Sequence, residues 1–394
     1  MSRRLPIVGH PVRFSDWCQA WVAGLDAQVQ ERFAAELAEM AGKSFGLLVN
    51  SGVAAFFLVL RALRTMSPRH EVVLPCYTAP SLVVAIHKAG LRPVCCDITF
   101  DDFNADVGDL LRRVSHRTLA VLGVHMFGIP WEAAATLRGR LPKEVFFIED
   151  CAQAFGARIG ERSVGAFGDV SFYSFNRGKN LPTYEGGCIV TSDERLTPLL
   201  REALGNLRSP GFFERLDRVV KLGALYLAFK PHLYGMLATL IARYKETGVP
   251  LDVPVSRYTS FQAAFGRRLL AASEGPFLKR RENAAALMQG LSGLKGVVLP
   301  RWTSGVQPVP NRLTVVLEDA RRVEKVIAEL DRHGIEASRL YARPLHHIFD
   351  LGYAPSDFPQ AVAFAERLVT LPVHPLVTER DIDIMVAVLT RATK

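Results

Sequence analysis

No CxxC pair occurs among the six cysteines of this 394-residue sequence (Cys18, Cys76, Cys95, Cys96, Cys151 and Cys188), and no His, Cys, Asp and Glu group has structural-zinc spacing. A disulfide framework and a metal are therefore not expected, and the thiols are expected to be reduced and packed. No apolar run reaches the roughly 18 residues that a membrane-spanning helix needs. The start, Met1-Ser-Arg-Arg-Leu, carries a basic tip without an apolar segment behind it, because Asp16, Gln19 and Asp26 interrupt the next stretch of chain. The expected location is the cytoplasm. A long basic block is missing too. The net charge of +9 is spread in pairs such as Arg267-Arg268, Arg280-Arg281 and Arg321-Arg322, which argues against nucleic-acid binding and leaves an anionic substrate or a membrane surface. Internal repeats and low-complexity linkers are absent.

What is present is the composition of a folded chain, with 49% hydrophobic and 22% charged residues. At about 100–200 residues per domain there is room for two or three domains. Apolar runs Phe45–Asn50, Glu71–Pro75, Pro93–Asp97, Leu119–Val124 and Val145–Asp150 read as strands, and helical segments separate them. The first helical pattern spans Ala20 to Ala41 and stops at Gly42. Buried strands alternating with helices predict an α/β fold with a mainly parallel central sheet covered on both faces. Ligands bind such sheets beyond the carboxyl ends of the strands. Ser51, Asp97, His125 and Asp150 all lie there.

From about Pro276 the pattern changes to a charged helix (Leu278–Leu291), strands Val297–Leu299 and Leu313–Leu317, and helices Ala320–His333 and Glu379–Ala392. The expected division is a large domain over residues 1–275 and a smaller C-terminal α+β domain over residues 276–394. Within the first, an apolar helical insert covers about 215–248. Its core, Val219 to Tyr244, reads either as a hairpin buried in the fold or a dimer, or as a surface pair touching a membrane beside Arg215, Arg218, Lys221, Lys230, Arg243 and Lys245.

The densest chemistry lies between Phe147 and Gly187: Ile-Glu-Asp150-Cys-Ala-Gln153, Gly165-Ala-Phe-Gly168-Asp169, Ser174-Phe-Asn-Arg-Gly-Lys179-Asn180 and Glu185-Gly-Gly187. A carboxylate at one strand end and a lysine just after another, each ringed by small residues, suit a flat cofactor lying between them. In order along the chain, these come after Asn50-Ser51-Gly52-Val53-Ala54-Ala55, Pro75-Cys-Tyr77-Thr78, Ala89-Gly90 to Asp97-Ile98 and His125-Met-Phe-Gly128. They precede Phe261-Gln262-Ala-Ala, His333-Gly-Ile, Tyr341-Ala-Arg-Pro-Leu-His346 and Leu371-Pro-Val-His374-Pro. The ordered set resembles the DegT/DnrJ/EryC1/StrS family of sugar aminotransferases, of the pyridoxal-phosphate superfamily of fold type I.

The resemblance implies pyridoxal 5'-phosphate as cofactor, held as a Schiff base by Lys179, with Asp150 on the pyridine nitrogen and Gln153 at the ring hydroxyl. Ser51, Gly52, Val53 and Ser174 would receive the phosphate, and Tyr77 would line the ring. His125, Tyr341 and His346 are carried as candidate substrate contacts, with packing beside the cofactor as the other reading of His125. Glu149 is read as structural. The implied reaction moves an amino group from an amino acid, by family habit glutamate or glutamine, to a nucleotide-linked or lipid-linked keto sugar, in a homodimer. A dehydratase-like enzyme and a cofactor-binding relative without turnover are the alternatives. The chain departs from the family pattern at Val53, at Ala79 where an aromatic ring is common, and at Val255-Ser256-Arg257 where Asn-Tyr-Arg is common.

Overall fold

The computed structural model describes residues 3–235 and 248–393. Its centre is a seven-stranded sheet in the order β1-β9-β8-β5-β4-β2-β3. The strands are β1 (Phe45–Val49), β2 (Glu71–Pro75), β3 (Arg92–Cys96), β4 (Thr118–Val124), β5 (Phe146–Asp150), β8 (Val170–Ser174) and β9 (Gly187–Thr191), and β6 (Arg158–Ile159) and β7 (Arg162–Ser163) form a small hairpin apart from it. Only β9 runs against the others. Every residue of β2, β4, β8 and β9 is buried, which is why these strands read as unbroken apolar runs. Their side chains still alternate: Val72 and Leu74 face one core, and Val73 faces another with Trp131 and Phe147.

Helices cover both faces. They are α1 (Phe14–Ala23), α2 (Val29–Met40), α3 (Gly52–Met66), α4 (Pro80–Lys88), α5 (Val107–Arg113), α6 (Ala134–Leu137), α7 (Leu196–Gly205), α8 (Phe212–Phe229) and α9 (Ser260–Ala271). Phe56, Leu60 and Ile86 pack on one side, and Phe33, Leu37 and Phe265 on another. One expectation is corrected here. The helical pattern from Ala20 to Ala41 is two helices, because Gly24 closes α1 by donating to the Ala20 carbonyl at 2.8 Å and Asp26 opens the next turn by accepting from the Gln28 amide at 2.9 Å. The periodicity hides the break, since both helices press the same side against α9.

A C-terminal α+β region holds the antiparallel sheet β10 (Val297–Val298), β12 (Leu313–Leu317) and β13 (Leu368–Leu371), with β11 (Val306–Gln307) joining the β6–β7 hairpin. Helices α10 (Glu274–Leu291), α11 (Val323–Arg332) and α13 (Glu379–Thr393) close its core through Leu287, Leu330, Met385 and Leu389, and α12 (Pro359–Arg367) lies before β13. The chain start packs here as well: Leu5 pairs with Ile335 and shares that core.

All six cysteines are free, five of them buried and Cys18 exposed. Of the apolar insert, residues 219–229 belong to α8 and residues 231–235 are helical. Its remainder, 236–244, lies outside the described residues. No helix among the described residues is long and apolar enough to cross a membrane.

Candidate functional site

Because β1, β4, β5 and β8 are mutually parallel, their carboxyl ends meet along one edge of the sheet. Asp150 ends β5, opposite Val124 of β4 and Phe172 of β8, so His125 comes next on one side and Ser174 on the other. Two strands over, β1 ends at Val49 opposite Gly187, and Ser51 pairs with Gly186. Residues far apart in sequence thereby share one rim.

Ser51 is the N-cap of α3, with its Oγ accepting from the Ala54 amide at 3.1 Å. That leaves its hydroxyl proton free to donate, and the first amides of the 15-residue helix point outward with the positive end of its dipole. Gly52 lies so close to β8 that a Cβ there would sit 2.7 Å from the Ser174 Cβ. Two hydroxyls and a helix N-terminus thus converge where no side chain intervenes. Val53, in the same turn, is partly buried.

Asp150 is 5% exposed. Its Oδ1 accepts from the Ala152 amide at 2.9 Å, and its other oxygen meets no donor among the described residues. Burial raises its pKa above the usual carboxylate value, against the Ala152 hydrogen bond and the charge of Lys179. Lys179 sits in the loop after β8, anchored through its amide to the Asn176 carbonyl at 3.0 Å, and its Nζ has no hydrogen-bond partner among the described residues. Desolvation lowers its pKa to about 8, Asp150 opposing and Arg312 adding to the shift. A primary amine that is partly neutral near pH 7 is a nucleophile; a carboxylate with a spare oxygen beside it awaits a cation.

Beneath them lies a network that no ligand needs to complete. Glu149, fully buried, accepts from the amides of Gly165 (2.9 Å), Phe167 (2.7 Å) and Gly168 (2.5 Å) and from the Ser171 hydroxyl (3.2 Å). Burial alone would raise its pKa, but the hydrogen bonds from His125 and these amides outweigh it and hold it below the usual value. His125 accepts from the Trp131 amide at Nδ1 (2.9 Å), so Nε2 carries the proton and donates to Glu149 (3.1 Å). His125, Glu149 and Cys151 gather as metal ligands would, yet the lone pairs of the histidine and the carboxylate are already engaged. We expect Glu149→Gln to lower stability by about 3 kcal/mol, since an amide group would then face backbone N–H donors; urea unfolding of the two proteins measures it.

A family model described as the DegT/DnrJ/EryC1/StrS aminotransferase family matches residues 19–390. The chain belongs to this family. It is a pyridoxal-phosphate-dependent aminotransferase. The dTDP-3-amino-3,4,6-trideoxy-alpha-D-glucose transaminase of Streptomyces venezuelae is 31% identical over 349 residues, covering 88% of this chain and 82% of that protein. The UDP-N-acetyl-3-dehydro-alpha-D-glucosamine 3-aminotransferase of Acidithiobacillus ferrooxidans is 29% identical over 359 residues, 91% of this chain and 86% of its own. Among solved structures, S. venezuelae DesV in complex with a ketimine intermediate superposes with a TM-score of 0.79 at 26% identity, covering 100% of this chain and 99% of that one.

The aminotransferase's site fits the cofactor: a nucleophilic amine, a carboxylate with an unmet oxygen and a hydroxyl-lined helix N-terminus lie along one rim. Gln153 is 5% exposed and faces it from the side, its Oε1 accepting from the Phe127 amide at 3.2 Å and its amide group against the Met126 sulfur at 3.7 Å. That sulfur is a weak acceptor, so the amide group keeps most of its donor capacity.

Three of the expected contacts have protein partners of their own. Tyr77 is wholly buried, donates its hydroxyl to the Leu340 carbonyl and packs edge-on to Phe364 at 4.8 Å. His125 has both nitrogens engaged within the protein and is 0% exposed, which favours the reading of His125 as a packing residue. His346 sets Nδ1 against the Cys76 sulfur at 3.0 Å and Nε2 toward the Pro355 carbonyl at 3.4 Å, holding its loop to the end of β2. Tyr341 is partly exposed, takes a left-handed backbone (φ 51°), and its hydroxyl has no hydrogen bond among the described residues. Burial pushes its pKa up to about 12, with Arg312 opposing and Asp150 adding.

Sequence reasoning missed Arg312, which Lys179, Tyr77 and Tyr341 all feel electrostatically. The only sequence signal was a charged residue placed directly before the fully buried, mostly apolar strand β12. As for the departures, Ala79 precedes Pro80 as the N-cap of α4, and the 254–257 strap lies beside Ser51, held by Asn50 through Ser256 (2.9 Å) and Pro254 (3.0 Å).

The lowered pKa of Lys179 has a kinetic signature. Its ammonium predominates below pH 8, so the rate at which the cofactor-free protein captures pyridoxal phosphate should rise about tenfold per pH unit and level off above about 8. Stopped-flow absorbance measures that rate. A rate still climbing at pH 10 would show an amine that is not desolvated.

Proposed function

We propose that this enzyme transfers an amino group from an amino acid, glutamate or glutamine, to a keto sugar linked to a nucleotide or a lipid, in glycan, glycolipid or secondary-metabolite biosynthesis. The observation that carries the reading is the Lys179 amine, desolvated and without a hydrogen-bond partner among the described residues, beside the half-satisfied carboxylate of Asp150. The relatives that transaminate dTDP- and UDP-linked sugars support the substrate class, and the net charge of +9 favours an anionic substrate.

Pyridoxal phosphate, when bound, supplies an electron-withdrawing ring next to the carbon that exchanges the amino group. Around it Lys179 first holds the cofactor and then, once freed, carries the proton on and off that carbon through Nζ. Asp150 holds the proton of the ring nitrogen. Ser51, Gly52, Val53 and Ser174 bind the phosphate, and Gln153 donates to the ring hydroxyl. Tyr341 stands at the substrate side.

Residues 1–275 form the cofactor-binding part in this reading and residues 276–394 the smaller domain. A homodimer is part of it as well, supported by the exposed apolar side chains of Phe14, Val22, Phe212 and Phe213 on α1 and α8. The test is a panel of nucleotide-linked keto sugars, incubated with glutamate labelled with ¹⁵N and read by mass shift. Transfer of the label to a sugar supports the proposal, and transfer to none across a broad panel refutes it.

A further inference from the structure

We propose that Arg312 receives the α-carboxylate of the amino donor. The inference rests on the proposed transaminase activity and names the residue that recognises one of its two substrates.

Arg312 stands at the mouth of β12 with its Nε sealed from solvent and without a hydrogen-bond partner, and it forms no ion pair among the described residues. Glu336, the acid whose charge it feels, is occupied by the Tyr234 hydroxyl (2.6 Å) and the Ile7 amide (3.1 Å). A guanidinium whose Nε is sealed from solvent and which makes no ion pair among the described residues is costly to keep. A ligand anion that completes it gives the cost a purpose, and its planar fork matches a carboxylate.

Its position is held firmly. The Val309 amide donates to the Gly128 carbonyl at 3.0 Å, and Asn180, the residue after Lys179, donates from Nδ2 to the Val309 carbonyl at 2.7 Å. Gly128 has φ 85°, and a Cβ there would lie 2.2 Å from the Val309 oxygen, so only glycine allows the approach. Behind the segment, the buried Arg280 donates from its two Nη groups to the carbonyls of Gly9 (3.0 Å), Asn311 (3.3 Å) and Pro310 (3.5 Å). Arg280 is a positioning residue for Arg312. The segment is thereby locked to the loop that bears Lys179, and an Arg312 Nη lies 3.5 Å from where a Gly178 side chain would begin.

Chemistry then selects the anion. In an amino-acid donor, the carbon that bears the transferred nitrogen also bears a carboxylate, so an anion must lie close to the amine that displaces Lys179. A nucleotide sugar keeps its phosphates a sugar ring away from the keto carbon. The cofactor's own phosphate goes to Ser51, Gly52 and Ser174. A cation beside Lys179 therefore meets the donor's α-carboxylate.

The test uses holoenzyme of wild type, Arg312→Gln and Arg312→Lys. One arm measures the donor half-reaction with glutamate and with 4-aminobutyrate, which lacks the α-carboxylate. A second measures KM for the keto sugar. A third measures the thermal shift given by glutarate, which cannot react. In Arg312→Gln, KM for glutamate should rise on the order of 100-fold with little change for 4-aminobutyrate or the sugar, and protection by glutarate should vanish. Arg312→Lys should fall between, and it carries the test if the glutamine variant does not fold. Unchanged KM for glutamate together with undiminished protection by glutarate would overturn the proposal. So would a loss confined to the nucleotide sugar, which would assign Arg312 to a phosphate. If wild type takes nitrogen from no amino acid, the transaminase reading fails, and the glutarate arm still decides whether Arg312 binds a carboxylate.

Discussion

Lys179→Ala is expected to lose the long-wavelength absorption of the covalently held cofactor and to slow nitrogen transfer on the order of 10⁴-fold or more, because nucleophile and proton carrier are one atom. The fold should survive. Nζ makes no hydrogen bond among the described residues, and the loop is held instead by the Lys179 amide on Asn176 and by Asn180 on Phe155 and Val309. Removing a desolvated amine whose pKa has dropped to about 8 also takes away a cost of folding at neutral pH. Two measurements check the assignment: the absorbance spectrum, and peptide mapping after borohydride reduction, which should place the cofactor adduct on Lys179. A spectrum identical to wild type in the alanine variant would overturn it. Lys179→Arg separates charge from nucleophilicity, since it keeps the cation and should be as inactive as the alanine.

How far the site was legible in the sequence depends on what kind of contact built it. Ser51, Asp150 and Ser174 could be placed because each ends a buried strand or comes directly after one, and parallel strands bring such ends to one rim whatever their separation along the chain. The direction of a side chain is not written in such spacing. Tyr77 and His346 occupy the expected segments, yet one hydrogen-bonds Leu340 and the other faces Cys76, because the loops that cover them were invisible before the chain was folded. Arg312 escaped for a related reason. It reaches Lys179 through contacts of Val309 with Gly128 and Asn180, long in sequence and made by backbone carbonyls that every residue possesses. The split of the first helical pattern was hidden because α1 and α2 bury a common side, and only the cap at Gly24 distinguishes them.

Asp150→Asn should separate the two ends of the cofactor. The asparagine oxygen can keep the hydrogen bond from the Ala152 amide, so the turn after β5 should hold its shape. Burial raises the pKa of Asp150, a cost of the charged form that an amide does not bear, and the cofactor-free variant should be no less stable than wild type at neutral pH. In the proposed roles, what would be lost is the counter-charge that keeps the ring nitrogen protonated, and with it the pull on the electrons released when Lys179 takes the proton from the reacting carbon. The expected result is a fall in kcat on the order of 10³-fold, the size typical of removing a preorganised electrostatic partner, with the cofactor still held by Lys179. The loss should be equal with the donor and with the sugar, since both half-reactions draw on the same ring. Arg312→Gln should instead weaken the donor alone. If Asp150→Asn spared one half-reaction, or left kcat unchanged, the carboxylate would not be paired with the ring nitrogen, and its open oxygen would have to serve a substrate.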